Sequence, residues 1–134
     1  MNLPPDYLQW LEQLGDSPQV EFDDLEWELA TPMKLAEPVS IDGREALFIE
    51  QAKLYARTLA EVMPYVEDAD GNAVAFTRLE QFLTIGEQNE ELLCVDPSDK
   101  YSVWTFLPGE GGLLDRVAKS LSVFVKKAKV SEGE

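Results

Sequence analysis

The chain has 134 residues, 45 % of them hydrophobic, with 26 acidic and 11 basic side chains and a net charge of −15. That is room for one domain with its own core, and a surface that repels nucleic-acid phosphates and anionic headgroups. It has no histidine and one cysteine, Cys94, which excludes Ser–His and Cys–His nucleophiles, a histidine base or metal ligand, and an intrachain disulfide.

Pro4 and Pro5 suit a first helical turn, and Tyr7, Trp10, Leu11 and Leu14 follow at helical spacing, so residues 4–14 read as a short helix ended by Gly15. Between 16 and 41, prolines 18, 32 and 38 punctuate the chain. Leu25–Leu29 alternates apolar and acidic residues there, which predicts one or two short strands. Phe48, Ala52, Tyr55, Leu59 and Val62 form a stripe that predicts a helix over 43–63. Asp42 and Glu45 stand at capping-box spacing, and Pro64 is its stop. Glu67-Asp68-Ala69-Asp70-Gly71-Asn72 reads as an acidic turn, and Thr77–Gln81 as a strand lead-in or one helical turn.

Phe82–Ile85, Leu92–Val95 and Val103–Leu107 are short β-prone runs joined by polar turns, which predicts an antiparallel meander. Gly109–Gly112 reads as a flexible break. Leu114, Val117, Leu121, Phe124, Val125 and Ala128 then sit at helical spacing, predicting a final helix over 113–128 and a frayed tail over 129–134.

The N-terminus has no basic and apolar leader, and no apolar run approaches the roughly 18 residues of a membrane span, so a cytoplasmic location is expected. Charge divides unevenly. Residues 1–115 hold 24 acidic and 6 basic side chains, and residues 116–134 hold 2 and 5. An acidic body steers encounter with a basic partner.

No spacing selects a catalytic or metal site. Asp68, Asp70 and Asn72 alternate like a calcium loop, but the twelfth position falls on Arg78 or Leu79 where a glutamate is needed. Gly109-Glu110-Gly111-Gly112 lacks the Lys-Ser/Thr of a phosphate loop. No carboxylate pair stands out for glycoside hydrolysis. Arg116, Lys119, Lys126, Lys127 and Lys129 are too sparse for a nucleic-acid arm. Trp10, Trp27 and Trp104 are expected to be core or half-buried, and Cys94 to be a reduced core thiol.

Leu3-Pro4-x-Asp6-Tyr7 before Trp10-Leu11, then Phe82-Leu83-Thr84-Ile85-Gly86, Glu91-Leu92-Leu93-Cys94-Val95-Asp96 and Ser102-Val103-Trp104-Thr105-Phe106, with a closing helix carrying Val117, Leu121 and Phe124, resemble the SUKH superfamily. That group includes Knr-type cell-wall regulators (Smi/Knr-like). The departures are Leu14-Gly15-Asp16 where Asn-Gly-Gly is common, and Glu87–Glu91 where the family's turn holds more glycine.

The resemblance implies one α+β domain over 1–134: a mostly antiparallel sheet of short strands flanked by N-terminal, central and C-terminal helices. It implies a non-enzymatic protein-binding role without a cofactor or metal. The leading expectation is an immunity protein that neutralises a basic toxin domain such as a nuclease. The alternative is a regulatory adaptor or chaperone-like module without a toxin. The expected contacts are the acidic turns, Glu67, Asp68 and Asp70; Glu87, Glu90 and Glu91; Asp96 and Asp99. Asp96 has the competing role of bracing a strand end. A monomer that binds neither nucleic acid nor membrane is expected.

Overall fold

Strands take up more of the chain than helices do. A computed structural model describes residues 3–16, 18–22, 24–41, 43–110 and 112–130. In chain order the elements are α1 (Pro5–Gln13), β1 (Gln19–Phe22), β2 (Leu25–Leu29), α2 (Pro32–Leu35), β3 (Pro38–Ile41) and β4 (Arg44–Leu47). A single 3-10 turn (Phe48–Glu50) leads into α3 (Gln51–Ala60). Then come β5 (Val66–Glu67), β6 (Ala73–Val74), α4 (Phe76–Leu79), β7 (Leu83–Gln88), β8 (Glu91–Asp96), β9 (Ser102–Leu107), β10 (Leu113–Ala118), α5 (Leu121–Lys127) and β11 (Lys129–Val130).

The fold is α+β. Seven strands form one sheet in the order β10-β9-β8-β7-β2-β1-β11, with every neighbouring pair antiparallel. Two small hairpins, β3–β4 and β5–β6, lie outside it.

The central strands are apolar on both faces. Leu93, Val95 and Val103 join Tyr7 and Leu11 of α1 and Leu121 and Phe124 of α5 in one core. Leu92, Cys94, Trp104 and Phe106 join Ala52 and Ala56 of α3 and Leu79 of α4 in a second. Each such fully buried side chain is worth about 1.5–3 kcal/mol relative to exposure. Strands buried on two faces read as continuous apolar runs, which is why this meander is visible in the sequence. Trp27 and Trp104 are buried as expected, while Trp10 is half-buried at the edge of the first core.

Five expectations are corrected. Residues 43–63 do not form one helix. Arg44–Leu47 is a strand that returns on β3 with Ile41 opposite Arg44, and α3 begins at Gln51. The Asp42-Gly43 dipeptide is a hairpin signal, and Gly43 has φ +79°; Asp42, and with it the expected capping box, lies outside the described residues. Residues 113–128 are likewise strand then helix. Leu113–Ala118 pairs with β9, and α5 starts where Ser120 Oγ accepts the Val123 N–H at 3.2 Å, an N-cap that closes an orphan donor.

The expected flexible break over 109–112 begins instead in a 3-10 turn, Pro108–Glu110, and Gly112 is closely packed. A Cβ on Gly112 would lie 2.8 Å from Val66 Cγ1; Gly111 is outside the described residues. Lys129 and Val130, expected in a frayed tail, pair with β1, and residues 131–134 also lie outside the described residues. Residues 18–41 hold three strands and the short helix α2, beyond the one or two strands anticipated. Phe76–Leu79 forms the single helical turn.

Candidate functional site

The face of the sheet that α3 and α4 cover over β7–β9 continues onto β2 and β1, where its side chains are exposed. Val20, Phe22, Trp27 and Leu29 point into the first core, so by the strand period Gln19, Glu21, Glu26 and Glu28 take the opposite face, and all four are exposed. The register sets like charges opposite one another: Glu21 faces Glu26, and Glu28 faces Glu87 of β7. Such pairs are destabilising.

Two lysines temper the repulsion. Lys129 stands opposite Glu21 on β11. Lys34 of α2 places its Nζ 3.3 Å from Glu87 Oε2 and 3.8 Å from Glu28 Oε1, and 5.2 Å above the Phe48 ring. Among the described residues all four arginines are ion-paired, but only one lysine is, so many carboxylates remain for solvent or a partner.

The turn acids fall into three groups that the fold does not merge. Glu90 lies in the two-residue β7–β8 turn, where Asn89 takes φ +53°, and Glu87 and Glu91 lie on the strands beside it. This left-handed conformation suits asparagine. Glu90 is exposed, Glu87 is held by Lys34, and Glu91 accepts a hydrogen bond from the Gln88 amide at 3.2 Å. These three adjoin the acidic face of β1 and β2 through the Glu28–Glu87 register.

Glu67, Asp68 and Asp70 lie on the β5–β6 turn, beside the sheet's other edge, where Asp68 bridges to Leu114. Asp68 Oδ1 accepts both the Asp70 and Asn72 N–H groups at 2.9 Å, a turn-closing role. The register runs Glu87, Leu92, Phe106, Leu114, Asp68. The first and second acidic turns are therefore separated by four strand spacings, roughly 19 Å.

Asp96 and Asp99 sit at the far end of β8. Asp96 is fully buried and braces the turn. It takes Arg78 Nε at 2.8 Å on one oxygen, and the Ser98 N–H and hydroxyl at 3.0 and 2.6 Å on the other. Asp96 is thus removed from the candidate contacts. Asp99 lies 3.2 Å from Arg116 and 3.7 Å from Arg78, and Arg78 also stacks over Trp104. This network ties α4, the β8–β9 connection and β10 together.

Glu21, Glu26 and Glu28 were not among the acids expected to meet a partner. Their signal was in the sequence as the alternation of acids with Trp27 and Leu29, which puts those acids on one face. Cys94 is buried, and burial pushes its thiol up to about 12 against a hydrogen bond to Thr84 that lowers it, which makes it an inert core thiol. Among the described residues no group of three or more histidine, cysteine or carboxylate side chains is placed to hold a metal ion, and no helix is long and apolar enough to cross a membrane. No protein-family model, no curated protein and no solved structure matches this chain.

Proposed function

We propose that the chain is a non-enzymatic immunity protein of the SUKH type, acting in the cytoplasm, that binds and neutralises a basic toxin domain such as a nuclease. The observation that carries the proposal is the uncovered acidic face formed by Glu21, Glu26 and Glu28 with Glu87 and the adjoining β7–β8 turn. Like charges held in register are a cost in the free chain, and a cationic partner relieves it. A nuclease site is cationic because it binds phosphates, so its surface is complementary to this face, and complementary charge speeds encounter.

The test is recovery of the partner from native lysate at low and at high salt. A basic protein is expected to be released by salt, to be toxic alone, and to be silenced by this chain. Charge reversal of Glu26, Glu28 and Glu90 to Lys should then slow association by about tenfold or more and flatten its salt dependence. Wild-type kinetics for that variant would remove this face from the interface. Housekeeping proteins without toxicity would favour the adaptor instead.

A further inference from the structure

A second feature lies on the opposite side of the sheet from the acidic face. Between α1, α5 and the β8–β9 connection is a cleft of ≈ 320 Å³, at the small end of the range for ligand sites, about 300–1,000 Å³. Tyr7, Leu121 and Val125 line it as apolar wall, and Lys100, Lys126 and Ser122 as polar lining.

Three observations single it out. First, Tyr7 is 3 % exposed and its hydroxyl has no hydrogen-bond partner. An unpaired buried hydroxyl is destabilising. Second, Lys100 and Lys126 are exposed and have no ion pair among the described residues, in a chain with more than twice as many acids as bases. Third, Lys100 and its neighbour Tyr101 both hold left-handed backbone, with φ +54° and +55°. Strain of this kind gathers at ligand clamps. Asp6 also lines the cleft, so its charged groups sum to a single positive charge, which favours a monoanion over a dianion.

We propose that this cleft binds a small organic monoanion, a carboxylate on an apolar body. The body lies against Leu121, Val125 and the Tyr7 ring, the carboxylate is drawn by the two ammonium groups, and the Tyr7 hydroxyl supplies a neutral donor. The proposal is independent of the toxin partner.

Benzoate titrated into the isotope-labelled full chain at low salt, followed by amide NMR shifts, tests it. Saturable shifts centred on Tyr7, Ser122 and Val125 are expected. Benzamide, which lacks the charge, and acetate, which lacks the body, should each bind at least about fivefold more weakly. Lys126→Gln, and Lys100→Asn (asparagine tolerates the left-handed backbone), should each weaken benzoate by about threefold or more. Tyr7→Phe removes an unpartnered hydroxyl, so the fold is retained and benzoate affinity falls. Absence of saturable shifts, equal binding of benzamide, or unchanged affinity in both lysine variants would overturn the proposal.

Discussion

Strands β7–β9 and the wing formed by β2, β1 and β11 belong to one hydrogen-bonded ladder but meet opposite surroundings. On β8 and β9 both faces are buried, from Leu92 to Asp96 and from Ser102 to Phe106. On β1 and β2 burial alternates, with Val20, Phe22, Trp27 and Leu29 inward and acids outward. The closed half spends its side chains on packing, and the polar Asp96 and Thr84 are buried there with partners. The open half keeps one face for solvent or a partner and tolerates a repulsive register that a closed sheet would not. Two-sided packing and one-sided solvent exposure are thereby divided along one sheet.

That division can be broken hardest in the closed half. Phe106→Ala empties a site between Leu92 and Leu114, with the Tyr55 ring edge-on at 6.4 Å. It should cost about 3–5 kcal/mol in chemical denaturation, whereas Gln19→Ala on the open face should stay within about 0.5 kcal/mol. Equal effects would dissolve the contrast.

The closed half should also show in pH. Folding holds the Cys94 thiol protonated up to about 12, while an unfolded thiol ionises near ~8.5. The folded chain therefore binds more protons between those values. The stability this thiol contributes is fully present below pH ~8.5 and is lost as pH rises toward 12, with a slope of at most about 1.4 kcal/mol per unit. Denaturation of wild type and Cys94→Ala from pH 8 to 10 should diverge accordingly, and native Cys94 should resist thiol labelling at pH 8.

The seam between the halves is Gly86. β2 meets β7 through two register pairs, Glu28–Glu87 and Leu29–Gly86, and the Ala30 N–H donates to the Ile85 carbonyl at 2.8 Å. A Cβ on Gly86 would lie 2.8 Å from the Glu28 carbonyl oxygen and 3.1 Å from Leu29 Cδ2. Gly86→Ala should cost about 1–3 kcal/mol and raise hydrogen exchange on β1 and β2 more than on β8 and β9. Uniform exchange across the sheet would show that the wing and the centre open as one unit.

The same contrast explains what was legible in the sequence. The β7–β9 runs declared themselves because two-sided burial leaves nothing but apolar residues and short turns. The helical stripe over 48–62 was real only from Gln51 to Ala60, because α3 is continued backward by residues that happen to fit period 3.6 while Arg44–Leu47 pairs with β3. Over 113–128, Leu114 and Val117 matched a helix by spacing alone. Ladder pairing with β9 outweighs that preference, which is context that local periodicity does not hold. The acidic turns were legible as turns. That the acids of β2 stand beside Glu87 depends on pairing between segments nearly 60 residues apart, for which the sequence has no local sign.

Lys34 is the finest probe of the open half. It sits between Glu28 and Glu87 with a side chain about one-third exposed, so solvent screens it and the bridge is worth less than about 1 kcal/mol. Lys34→Met keeps an apolar side chain and removes the charge, together with its contact to the Phe48 ring. In low salt it should lower stability by a few tenths of a kcal/mol, and the loss should fade by about 0.5 M salt as screening shortens. Glu28→Gln in the same background removes one member of the like-charge pair and should return most of that loss. If the double variant is no more stable than Lys34→Met alone, the Glu28–Glu87 register carries no repulsion. The open face would then lose the physical ground on which it was assigned to a cationic partner.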